Sequence, residues 1–205
     1  MNIAMRESNL SDQILGFGKR FNLSFLEQHH NSRLVLTAYV FVNSAITIAI
    51  LSVIALVTDL PFVFPSLGPT AFILFFSSMS AAACPRNVIS GHLIGVLVGF
   101  GALAVFGLLS VDPDLDDTSW QRLGAVALCL SVTLAVMVLF NVPHAPAGAT
   151  TLIVGLGLMR TPGQLTILML AVVLMVVQAM VINRLAGLAY PWWGPASEPS
   201  MTTAK

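Results

Sequence analysis

Charge is what this sequence has least of. Only 9% of its 205 residues are Asp, Glu, Lys or Arg, against about 25% in a soluble globular chain. The shortage is concentrated. Between Leu34 and Asn183 the ionised side chains are Asp59, Arg86, Asp112, Asp114, Asp116, Asp117, Arg122 and Arg160. Net charge is zero, so no basic surface points to nucleic acid. Cysteine is nearly missing: Cys84 and Cys129 lie in apolar sequence with no metal-ligand spacing and no partner motif, and read as small buried hydrophobes. No nucleophile–base pair, metal cluster or phosphate loop appears. Gly155-Leu156-Gly157, inside an apolar run, is no dinucleotide fingerprint. The expectation is a protein with no enzymatic activity, catalytic residue, cofactor or metal. Residues 1–33 also lack the basic region, apolar run and cleavage site of a signal peptide, so the first apolar stretch is expected to stay as the insertion signal.

What is present is apolar length. Leu34 to Thr58, Asn87 to Val111 and Thr161 to Asn183 carry no charge, and each meets the requirement of about 20 residues for crossing a bilayer. A fourth span is expected from Leu123 to Val142. The fold class that follows is an all-α membrane protein. Residues 1–33 form a cytoplasmic N-terminal segment, where Ile14, Leu15, Phe17, Phe21, Leu23, Phe25 and Leu26 among Lys19, Arg20 and Glu27 suit either a surface-lying amphipathic stretch or a tail. The membrane domain covers 34–190. Residues 191–205 form a polar tail, and Tyr190, Trp192 and Trp193 supply an interfacial aromatic anchor.

Two apolar segments are interrupted by proline and glycine: Phe62 to Cys84 and Pro143 to Met159. Each lies between two full spans, and the acidic loop from Val111 to Trp120 joins the two sets. The interrupted segments align at a separation of 80 positions, where Gly68, Thr70 and Ile73 meet Gly148, Thr150 and Ile153. This predicts two repeats, 34–110 and 114–190, each with two full helices around one broken or re-entrant helix. Arg6, Lys19, Arg20, Arg33, Arg184 and Lys205 favour cytoplasmic termini. With the acidic loop outside, Arg86 is cytoplasmic only if its segment crosses fully. Three crossings per repeat then make the repeats inverted. Four spans with two re-entrant loops is the competing arrangement.

Proline and glycine stop helices, and non-helical backbone survives in a bilayer only when buried in protein or lining a wet cavity. A helix restarting at Pro69 or Pro146 turns its amide end inward, and paired half-helices recur at transporter binding sites. The candidate substrate site is therefore Ser66, Leu67, Gly68, Thr70, His144, Pro146, Ala147, Gly148, Ala149, Thr150 and Thr151. His144 suits donation to an anion, a proton relay or a backbone cap. Arg86, Asn87, His92, Asn141 and Arg160 are candidates for a pathway or vestibule, although interfacial arginines also snorkel and His92 suits a helix–helix hydrogen bond.

At these residues the sequence resembles the HPP family of integral membrane proteins from bacteria and plastids. The stretch His144-Ala145-Pro146-Ala147-Gly148-Ala149-Thr150 is similar to the family's His-Pro-Pro-Ala-Gly-Ala motif, with Ala145 in place of the middle proline. Pro65-Ser66-Leu67-Gly68-Pro69-Thr70-Ala71 and Pro85-Arg86-Asn87-Val88-Ile89-Ser90-Gly91-His92-Leu93-Ile94 extend the match. The resemblance implies a multi-pass protein of the bacterial inner membrane and a permease for a small anion. Nitrite leads, because some cyanobacterial and plastid members are implicated in its transport. A neutral-solute channel and a non-transporting scaffold are the alternatives. The implied partners are the anion and the lipid bilayer, and small-residue helix faces suggest a homo-oligomer.

Overall fold

The computed structural model describes residues 22–195. The part of the expected amphipathic stretch from Ile14 to Phe21 and the last ten residues of the tail lie outside them. Among the described residues the protein is all-helical. A short helix, α1 (Leu23–His29), precedes four helices of membrane-spanning length and composition: α2 (Ser32–Thr58), α4 (Pro85–Val105), α5 (Trp120–Leu139) and α7 (Pro162–Leu185). Two shorter helices of 10 residues each, α3 (Leu67–Phe76) and α6 (Pro146–Gly155), lie between them. At 1.5 Å per residue the short helices reach about 15 Å, half of a hydrocarbon core.

The starts are set by local chemistry. The side chains of Asn31, Ser119 and Thr161 cap α2, α5 and α7, with a full capping box between Thr161 and Gln164. Proline occupies the first turn of α4, α6 and α7, where its missing N–H costs nothing. Before α3 and α6 the chain has no regular structure, and burial alternates identically over 61–66 and 141–146, odd positions exposed and even positions buried. The aligned threonines, Thr70 and Thr150, are both fully buried.

Three glycines one helical turn apart on α4 let α6 lie against it. A Cβ on Gly91 would stand 2.9 Å from the His144 Cβ, one on Gly95 2.8 Å from the Ala147 carbonyl oxygen, and one on Gly99 2.8 Å from the Val154 Cβ. The contacts advance together along both chains, so α4 and α6 run parallel. Helix α5 lies antiparallel to α6. The Thr133 hydroxyl donates to Thr151 at 3.0 Å, and the Arg122 guanidinium donates to the Leu156 carbonyl at 3.1 Å. Close backbone approach over small residues is how helices associate where lipid removes the hydrophobic drive.

Each end of the bundle is tied by polar contacts. At one end, Asn183 accepts from the Tyr39 hydroxyl (2.7 Å) and donates to the Leu74 carbonyl (3.0 Å), joining α2, α3 and α7. The Leu23 amide donates to Ala186, so the described N-terminal residues lie beside the end of α7. The first residues of the expected polar tail fold back here. The Tyr190 hydroxyl donates to the Ala83 carbonyl, the Arg86 amide donates to Trp193, and the Arg184 guanidinium lies 3.5 Å over the Trp192 ring. At the other end, Arg122 is only 1% exposed. It also donates to the Asp112 carbonyl (3.2 Å) and the Asp117 carboxylate (3.3 Å), binding the acidic loop to the end of α6.

Candidate functional site

The site assembles where α3, α4 and α6 meet. Thr70 and Thr150, the paired positions of the two interrupted segments, stand on either side of His92 from α4. Its Nδ1 lies 2.6 Å from the Thr150 hydroxyl and its Nε2 3.0 Å from the Thr70 hydroxyl. His144, from the non-helical segment leading into α6, completes the cluster, with its Nε2 3.2 Å from His92 Nε2 and 3.5 Å from the Thr70 hydroxyl. All four side chains are buried.

The partners determine where the protons sit. His144 Nδ1 lies 2.8 Å from the Ala82 carbonyl, which only accepts, so this nitrogen carries hydrogen. In the neutral ring, Nε2 is then an acceptor. The single proton between the two Nε2 atoms therefore belongs to His92, which leaves His92 Nδ1 to accept from the Thr150 hydroxyl. Thr70 donates to the Ser66 carbonyl at 2.9 Å, so its free lone pair faces the same His92 N–H. A consistent chain results: Thr150 donates to His92, His92 to His144 and Thr70, and His144 to Ala82. These tautomers follow from the hydrogen bonding. Among the described residues no acidic side chain touches the cluster.

The other expected site residues are distributed around it. Ser66 and Leu67 are buried at the start of α3, and the Ser66 hydroxyl finds no partner. Thr151 points away, to Thr133 and α5. Pro146, Ala147 and Gly148 are buried, and the Gly148 Cα faces Leu130. The first amides of α6 are engaged by the chain itself, Ala147 donating to His144 and Gly148 to Ala145. Gly68, Pro69, Phe72, Ile73, Ala145, Pro146 and Ala149 line an open groove of about 620 Å³ between the two short helices. Beside it an open, mostly apolar cavity of about 460 Å³ reaches His144, walled by Ile73, Leu134, Met137 and Val138 and bounded also by Ala82, Asn141 and Pro143.

Of the vestibule candidates, the structure joins three. The Arg86 guanidinium donates to the Asn141 carbonyl at 3.5 Å and to the Asn87 side chain at 3.0 Å, which brings a cation to the rim of this cavity. Asn87 in turn donates to Ala81, bracing the turn that holds Ala82. His92 belongs in the cluster itself. Arg160 stands apart at the opposite end of the bundle, where it donates to Asp112 and Val111. The sequence singled out every member of the polar cluster except Ala82, whose carbonyl sits in an alanine run with no side-chain signal.

Comparison with known proteins also points to a membrane protein. A Dictyostelium discoideum protein described only as a transmembrane protein is 30% identical over 135 residues, which is 62% of this chain and 44% of that protein's length. The chain thus spans less than half of this curated relative. No solved structure matches. The pattern of the HPP transmembrane region matches residues 29–191, so nearly the whole described bundle is accounted for, and the chain belongs to the HPP family of transmembrane proteins.

Proposed function

We propose that this protein is a permease for a small inorganic anion, nitrite foremost, and that the solute passes the His92–His144–Thr70–Thr150 cluster. One observation carries the reading: a buried set of hydrogen-bonding groups without a carboxylate lies where two short helices meet, beside a cavity with Arg86 at its rim. Polar groups are expensive inside a membrane, and their concentration at such a point is the mark of a solute path. The two halves are inverted repeats of three crossings each. The parallel course of α4 and α6 and the shared end of α3 and α7 support this arrangement. The protein resides in a bacterial inner membrane with both termini cytoplasmic, and it assembles as a homo-oligomer.

A second reading, a channel for a neutral solute, is favoured by the engaged amides of Ala147 and Gly148, which are not free to receive an anion. Nitrite uptake into sealed proteoliposomes separates the two. The permease reading expects saturable uptake, competition by formate and nitrate, and at least a tenfold loss on Thr150→Val with membrane insertion intact. Uptake indifferent to competing anions and to membrane potential favours the neutral channel, and no flux of any solute defeats both.

A further inference from the structure

The histidine pair has room for one more proton and only one. In the neutral chain a single hydrogen lies between the two Nε2 atoms, 3.2 Å apart. An added proton is accommodated at His92 Nδ1, which then donates to the Thr150 oxygen while the Thr150 hydroxyl turns away. The Nε2–Nε2 hydrogen bond keeps its one proton, the Ala82 contact is unchanged, and every heavy atom can stay in place. A second added proton sets N–H against N–H and forces the rings apart. The geometry therefore defines a site that alternates between zero and one positive charge.

Among the described residues that charge has no counter-ion. Helix α3 brings Ser66 and Thr70 to the cluster, the turn before α4 brings Ala82, and α6 brings Thr150 with Thr151 behind it. Helix α5 contributes Thr133 and Cys129, both bonded to Thr151. Arg86, which donates to Asn141 at the rim of the cavity, is also positive, and Cys84 at the start of α4 is buried. The acidic side chains of the described residues that make ion pairs, Asp112 and Asp117, are held at the far end of the bundle by Arg160 and Arg122. An isolated charge is costly in such surroundings unless paired. An anion in the adjoining cavity is the partner that would offset it.

Resting on the permease reading above, we infer that the His92–His144 pair takes up one proton with each monovalent anion, so that the protein is an electroneutral proton–anion symporter. One proton leaves bulk water for His92 Nδ1 as the anion enters and departs with it on the far side. No covalent bond of the anion changes.

Two measurements test this. In proteoliposomes containing a trapped pH dye, inward nitrite movement should carry one proton per anion without generating a membrane potential. His92→Gln should lose the proton signal and more than nine-tenths of the uptake. In nanodiscs with ring-¹⁵N histidine, nitrite should convert His92 Nδ1 from an acceptor to a protonated nitrogen in the wild type. Flux that is electrogenic and proton-free leaves the permease intact and overturns the symport. Nitrite-linked protonation without flux keeps the coupled site and defeats the permease. Absence of both overturns both.

Discussion

At the residue scale, the chemistry depends on groups that lack alternatives. The Ala82 carbonyl can only accept, and this one fact orders the protons through His144 and His92 to Thr150. Arg122 plays the corresponding part at the far end, where it spends its donors on Leu156, Asp112 and Asp117. The Asp117 carboxyl is held below its ordinary 3.8, chiefly by the Ser119 amide and hydroxyl and further by Arg122. Its folded value lies below its unfolded one, so the stabilisation is present above the ordinary carboxylate value and fades as pH falls through the depressed one. Asp117→Asn should lower the melting temperature of the detergent-solubilised protein slightly at neutral pH, and the difference should vanish in strong acid. Melting curves at several pH values check this; a gap that widens on acidification would contradict it.

At the element scale, the decisive feature is the glycine seam of α4. Because α6 lies against Gly91, Gly95 and Gly99, it carries His144 and Thr150 to within hydrogen-bonding reach of His92. Gly95→Ala places a methyl 2.8 Å from a backbone oxygen that cannot step aside, and overpacking of this kind costs about 1–3 kcal/mol. Gly101, with nothing within 4 Å of an added Cβ, is the control. Gly95→Ala should melt lower and transport more slowly than Gly101→Ala, which should behave as the wild type. The elements were largely legible in the sequence because their signals are local. Charge-free runs end near Asp59, Arg86 and Arg160, and Pro146 opens α6. The pairing of His92 with His144 was not legible, since it joins segments distant in the chain through a helix packing that only the fold creates. Arg86 and Arg160 carried the same sequence signal and went to opposite ends for the same reason.

At the scale of the whole molecule, the arrangement of ends is itself open to test. The acidic loop lies at one end with Arg122 and Arg160, while the start of α1, the end of α7 and Arg86 lie at the other. In the proposed topology a single cysteine at Asp114 should react with an impermeant maleimide from outside intact cells. One at His30 or Leu188 should react only after the membrane is opened. Cys84 and Cys129 are buried and free, and offer little background. Labelling of all three positions from the same side would exclude the arrangement.

The return of the C-terminal segment has a consequence for how the protein is made. Tyr190 and Trp193 complete hydrogen bonds at Ala83 and Arg86, at the opening turn of a helix that leaves the ribosome roughly a hundred residues earlier. The neighbouring Ala82 carbonyl is the one that orients His144. The C-terminal contacts flank this carbonyl on its own turn, and they form last. The turn that carries Ala82 thus gains these two contacts only once nearly the last described residue has been made.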